Sequence, residues 1–199
     1  MARSRKMDPE EALIAAISVF WKHGYAAVGT RQIEDEAGIT RFTLQTTYGG
    51  KLALFLMALD RYLDMFEGFA PPTDPDTLDS VADWFQFLVN PPMMEDCMAH
   101  GCLLLNALIE FGDTEPEVNK RAARYFGMMG GRFAQGLQRL VEKQVLPPEF
   151  DVAHAAALLQ NAALGMNVLI RAENSSEAAR TTAEAYRAMI QCWGQTRQD

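Results

Sequence analysis

Apolar residues recur every three or four positions over most of this chain, the spacing of helices that each bury one face. Leu13, Ala16, Ile17, Phe20 and Trp21 form the first such stripe. Asp8, Pro9 and Glu11 precede it as an N-cap, a proline suited to the first helical position and a capping-box glutamate, and Gly24 ends it. A second stripe, Leu52, Phe55, Leu56, Leu59, Tyr62, Leu63 and Phe66, predicts a long amphipathic helix after Lys51. Pro71, Pro72 and Pro75 cannot continue that helix and mark a turn-rich link. Leu78, Val81, Ala82, Phe85 and Leu88 then predict a helix stopped by Pro91 and Pro92. Further helices are expected from about Gly101 to Phe111, and from a capping box at Thr114 to about Lys143. Two more follow, from about Asp151 to Ala172 and from Ser175 to about Trp193. No strand alternation and no internal repeat interrupts the helical period. The fold class is all-α.

Two short elements lie between the first two stripes. Thr30 is an N-cap candidate, and Ile33 and Ala37 form an apolar pair one turn apart. Gly38 stands where the chain must leave the helix with positive φ. Thr40 then caps a second helix from Arg41 to about Thr47. A helix, a tight glycine turn and a capped second helix make a helix-turn-helix, whose second helix is shaped to enter a DNA major groove. The chain divides accordingly into a three-helix DNA-binding domain, residues 1–51, and a larger helical domain, residues 52–199, which the family resemblance given below makes a ligand-binding and dimerisation domain.

Charge looks wrong for DNA until its distribution is considered. The whole chain carries a net −8, yet residues 1–51 hold seven Lys and Arg against six Asp and Glu, and the remainder eleven against twenty. Glu34, Asp35 and Glu36 cluster on one short helix, leaving Arg3, Arg5, Lys6, Arg31, Arg41 and Lys51 for phosphate. Counterion release needs cations at the contact surface, not a basic whole protein. An apolar fraction of 49% is enough for a packed core and excludes disorder. No apolar run reaches about 18 residues, so no membrane span is expected. Met1 to Lys6 is basic but no signal-peptide core follows it, and a cytoplasmic location is the expectation.

The first turn of the recognition helix should reach base edges, which nominates Arg41, Phe42 and Thr43. Arg41 suits guanine O6 and N7, whereas Phe42 can only pack on a thymine methyl or a sugar. Gln45 and Thr46 lie further along the exposed face, and Gln45 suits adenine. Leu44 reads as core.

These elements resemble the TetR-type (tetracycline-repressor-like) family of bacterial transcription regulators. The matching residues are Phe20, Gly24, Tyr25, Thr30, Ile33, Ala37 to Thr40, Thr43, Leu44, Tyr48, Gly49, Lys51, Leu54 and Phe55. The resemblance implies a ligand-responsive regulator, a repressor in the first instance, that binds double-stranded operator DNA. Thr30, Thr40, Thr47, Tyr48 and Lys51 are phosphate positions by that resemblance; a helix cap is the alternative role for each threonine. Two positions depart from the family pattern. Gln45 stands where tyrosine is usual, and Leu52 where an acid is usual, which forgoes about 0.3–1 kcal/mol at a helix N-terminus. Both departures bear on operator choice rather than on fold.

The resemblance also implies a homodimer built from the last two long helices, for which Ala156, Ala163, Tyr186, Met189, Ile190 and Trp193 are candidates; a monomeric core is the alternative. A twofold dimer would set two recognition helices roughly 34–36 Å apart on a near-palindromic site. The middle helices are rich in adaptable side chains that suit a mostly apolar small-molecule effector. Phe66, Trp84, Phe87, Met98, Phe126, Met129, Phe133 and Met166 are the pocket candidates, beside Met93 and Met94, with Asn106, Gln160 and Asn167 to orient a ligand. Simple core packing is the alternative for each. The helix from Leu52 to Phe66 is the expected lever between ligand and DNA.

Cys97, Cys102 and Cys192 imply no disulfide framework in a reducing compartment. Packing is the first reading for Cys97 and Cys102, and a redox switch the second. His23, His100 and His154 have no metal-ligand spacing, so neither metal nor cofactor is expected. No glycine-rich phosphate loop or nucleophile elbow occurs, which excludes the common enzyme classes. The remaining rival is a degenerate regulator that binds a ligand or protein partner without sequence-specific DNA binding.

Overall fold

The computed structural model describes residues 8–90, 97 and 99–194; Met98, Met93, Met94, Pro91, Pro92, Arg3, Arg5 and Lys6, singled out above, lie outside them. Helix α1 (Pro9–His23) starts as its sequence requires. The Asp8 carboxylate accepts the Glu10 N–H at 2.8 Å, and Pro9 occupies the first turn. α2 (Thr30–Ala37) and α3 (Arg41–Thr46) follow, then α4 (Lys51–Glu67). Thr30, expected to cap α2, is its first residue instead. Gly29 holds the cap position in extended conformation and offers no side-chain bond. Ile17, Phe20, Val28, Ile33, Ala37, Ile39, Leu44 and Phe55 close the small core between these four helices.

The larger half contains α5 (Leu78–Val89), α6 (Leu103–Phe111), α7 (Pro116–Glu142), α8 (Val152–Glu173), a 3-10 turn (Ser176–Ala179) and α9 (Arg180–Cys192). Among the described residues there is no strand. Thr114 does not cap α7 as expected: its hydroxyl donates back to the Phe111 carbonyl, and Glu115 takes the cap. α6 starts at Leu103 rather than Gly101, because Gly101 is left-handed (φ 71°) and its α-carbon lies against the Asn167 carbonyl on α8. No side chain fits in that gap.

α5 packs on α9, α7 on α8, and α1 on α4. α4 is continuous through the boundary expected at residues 51 and 52, and it touches α1, α6 and α7. Consecutive residues bind it to two neighbours. Asp60 receives a bidentate pair of bonds from Arg121 of α7, at 2.8 and 2.7 Å, and Arg61 pairs with Glu10 of α1 at 2.6 Å. By length and composition α8 is apolar enough to cross a membrane, contrary to the expectation from sequence. Here one of its faces is buried against α7.

Candidate nucleic-acid interface

The turn between α2 and α3 is fixed from both sides. Gly38 is left-handed (φ 65°, ψ 12°) and its N–H reaches the Glu34 carbonyl. The Thr40 hydroxyl accepts the Thr43 N–H at 3.1 Å and lies 3.0 Å from the Thr43 hydroxyl. Leu44, fully buried, anchors α3 to the core. Beyond it Gly49 and Gly50 take positive φ, and the Gly50 N–H returns to the Leu44 carbonyl at 2.9 Å. A six-residue helix is too short to persist alone; these contacts hold it.

Arg41, Phe42, Gln45, Thr46 and Thr47 project to solvent from this element, as do Thr30, Arg31 and Thr40 around it. Phe42 is 77% exposed. Thr43 is half-buried, and Tyr48 is only 8% exposed, its phenol pKa raised by burial. Arg31 lies 3.7 Å from Asp35, one turn along α2. The Thr46 hydroxyl donates to the Phe42 carbonyl at 2.9 Å. Lys51 lies at the foot of α4 with Nζ 4.2 Å from the Tyr25 ring centroid, a cation–π distance. Burial lowers its ammonium pKa, and the Glu110 carboxylate opposes that shift.

A seam between the two halves carries contacts that the sequence pattern did not reveal. The Glu110 carboxylate of α6 accepts the N–H groups of Tyr25 and Ala26, at 2.8 and 2.5 Å, in the turn after α1. The Trp21 indole donates to the Gly101 carbonyl at 2.8 Å. The Arg171 guanidinium of α8 reaches the Trp21 and Lys22 carbonyls at 3.5 and 3.4 Å, where the dipole of α1 favours a cation. Tyr25, Phe55 and Phe111 form a continuous ring cluster across the seam, with centroids 4.9–5.7 Å apart. One signal was available in the sequence. Glu110 is an acid in the last turn of its helix, where the dipole disfavours it unless something else holds it. The seam therefore ties the two halves together alongside α4, the expected lever.

The expected effector residues separate into two aromatic groups. Phe66 meets Tyr125 at 4.7 Å, and Tyr125 meets Phe126 at 5.6 Å. Trp84 meets Phe133 at 5.2 Å and donates its indole N–H to the Phe69 carbonyl, while Phe87 stacks on Phe69. Met129 and Met166 are buried. The amides are committed to backbone: Asn106 to His100, Asn167 to Ala163, Gln160 to Phe126. Two phenols not nominated for the pocket, Tyr62 and Tyr125, lie beside Cys102, and Tyr125 also meets Phe66. Burial pushes both phenols well up, with Cys102 beside them; the Tyr62 hydroxyl donates to the Cys102 sulfur at 3.5 Å. Cys97 and Cys102 are both buried. A cleft of about 590 Å³ lies elsewhere, at the C-terminal end of α7 between Val141, Pro147 and Gly194, and contains none of the expected residues. Among the described residues no acid, histidine and cysteine cluster suits a metal.

Ala156, Ala163 and Ile190, expected at a dimer interface, are buried within the protomer's own core. Tyr186 stacks on Phe85, Trp193 lies against Phe150, and Met189 is half-buried. The free face of α8 is one step round the helix, along Ala157, Leu158, Asn161, Gly165, Val168 and Ala172. Leu158 is 45% and Val168 50% exposed.

Residues 12–58 match the model of bacterial regulatory proteins of the tetR family, and residues 79–186 that of the tetracyclin repressor-like C-terminal domain. The chain is 27% identical over 179 residues to the HTH-type transcriptional repressor ComR of Escherichia coli (strain K12), covering 88% of this chain and 85% of ComR. It is similar to the crystal structure of a TetR-family regulator from Cytophaga hutchinsonii, with a TM-score of 0.78 at 16% identity, over 94% of this chain and 96% of that one. It is also similar to a cysteine mutant of the TetR-family regulator CifR complexed with 26-base-pair operator DNA. There the TM-score is 0.74 at 19% identity, over 96% of this chain and 100% of that one. At these identities the two structural likenesses establish a shared fold.

Proposed function

The chain belongs to the TetR family of bacterial regulatory proteins, which are DNA-binding transcription regulators and not enzymes, and we propose that it is a dimeric repressor released by a small, mostly apolar effector. The observation that carries this reading is α3 itself. A short helix is locked by Thr40, Gly38 and Leu44 so that Arg41, Phe42 and Gln45 face outward. Thr30, Arg31, Thr40, Thr47, Tyr48 and Lys51 surround that face as phosphate contacts, with Thr43 and Thr46 beside the base readers. Tyr48 acts only through the edge that burial leaves it.

Two protomers join through the free face of α8 together with α9. The effector enters among Phe66, Phe126, Met129 and Met166, near the Tyr62 and Tyr125 phenols. Binding favours a state in which the seam at Glu110, Gly101 and Arg171 is rearranged, so the two copies of α3 no longer match successive grooves. Such a protein works beside the chromosome, in the cytoplasm, without metal or cofactor.

The test is retention of the DNA upstream of its own coding region by the full-length protein. Binding at about 50 mM salt that weakens steeply by about 200 mM supports the reading. A folded dimer that retains no such DNA at low salt leaves the degenerate regulator as the better description.

A further inference from the structure

Phe42 is the most exposed large apolar side chain among the described residues, and its position on α3 is specific. Successive residues of a helix are about 100° apart, which sets Phe42 and Thr46 roughly opposite the buried anchor Leu44, at the centre of the outward ridge. Arg41 and Gln45 lie on one flank of that ridge, and Thr43 on the other. The ridge's polar groups have local bonds: Thr46 donates to the Phe42 carbonyl, and Thr43 faces the Thr40 hydroxyl. The phenyl ring has no such partner and stands out as bare apolar surface. Leaving it in water has no structural return.

The floor of the DNA major groove displays one alkyl group, the 5-methyl of thymine; the other groups read there are hydrogen-bond donors and acceptors. We propose that Phe42 is a thymine reader, its ring packing on the 5-methyl of one thymine in each half-site. This rests on the reading of the chain as a DNA-binding regulator and adds to it one chemical requirement of the operator. Sugar edges are also apolar, but they line the groove walls. A ridge centred opposite Leu44 meets the floor first.

The experiment begins by selecting duplexes from a random-sequence pool with the full-length protein. Each thymine of the selected operator is then replaced by deoxyuridine, which removes the methyl and keeps every hydrogen-bonding group. Replacement at one thymine per half-site is expected to weaken binding about fourfold for each methyl lost. Phe42→Ala should bind the thymine operator more weakly, and bind thymine and uracil versions alike. Phe42→Leu, still apolar, should restore part of the discrimination. The side chain is exposed, so unchanged thermal unfolding of both variants confirms that folding is intact.

Equal binding of thymine and uracil operators at every position overturns the proposal, and makes Phe42 a contact to sugar or an intercalated base step. An undiminished uracil penalty in Phe42→Ala overturns it too, because another side chain then reads the methyl. If the wild-type protein selects no duplex at all, the DNA-binding reading fails first and takes this inference with it.

Discussion

Glu110 accepts the backbone N–H of Tyr25 at 2.8 Å, from a helix eighty-five residues further along the chain. The same carboxylate takes the neighbouring Ala26 N–H, so one side chain closes the turn after α1 that leads into α2. The turn is also the platform for Lys51, whose ammonium sits over the Tyr25 ring. The N-terminal and C-terminal halves of the molecule thus share a hydrogen-bonded corner.

Replacing Glu110 tests that corner. Glu110→Ala leaves two N–H groups without their carboxylate but exposed to water, and should lower unfolding free energy by about 1–2 kcal/mol in urea melts. Glu110→Gln keeps one acceptor and should lose less. Operator affinity should fall in the same order. Stability that drops while DNA binding stays unchanged would make the contact structural only.

Much of this architecture was legible beforehand. Asp8, Gly38 and Thr40 announced their caps because capping is a local bond between near neighbours, and the structure contains all three. The seam was not legible. Trp21 to Gly101 and Arg171 to Lys22 join residues about 80 and 150 positions apart, and no period in the chain encodes such pairs. α8 failed differently. Small and apolar residues occur on all its faces, so Ala156 and Ala163 could not be told from Ala157 and Gly165 by pattern. Only packing against its neighbours, α7 above all, decides which side is free.

His100 predicts a pH dependence of stability. Burial lowers its pKa, and Arg171 of α8 with Lys22 and His23 of α1 push the same way, against a hydrogen bond that the ring donates to Asn174. The folded state therefore binds fewer protons than the unfolded one between the lowered value and about 6.5, the ordinary imidazole value. Stability is complete above that upper limit and declines as pH falls towards the folded value. Urea midpoints between pH 8 and pH 5 should show the decline, and His100→Gln should flatten it. An unchanged slope in the variant assigns the effect to other groups.

The free face of α8, proposed above as the dimer surface, makes a sharp contrast between two aspartates on one helix. Val168→Asp adds a charge to a half-exposed position and should leave the protomer folded while shifting sedimentation from dimer to monomer. Operator affinity should fall with it, because half-sites are then bound singly. Ala163→Asp buries the same charge in the protomer core, fully out of contact with solvent, and should prevent folding. A Val168→Asp protein that remains dimeric would move the interface to another surface.

Arg41 separates base reading from simple attraction to phosphate. Its side chain leaves the first turn of α3 exposed to solvent, next to Phe42 and one turn from Gln45. A bidentate contact to guanine is worth about 1–3 kcal/mol of discrimination, whereas a phosphate contact adds about 0.9 to the salt slope and nothing to sequence choice. Arg41→Ala should therefore weaken the selected operator roughly ten- to a hundredfold and random DNA far less, with the salt slope nearly unchanged. Equal loss on both duplexes, with a slope lower by about one, would make Arg41 a phosphate contact. Base choice would then fall to Gln45 and Phe42, the two positions where the polar and apolar features of the groove are matched separately.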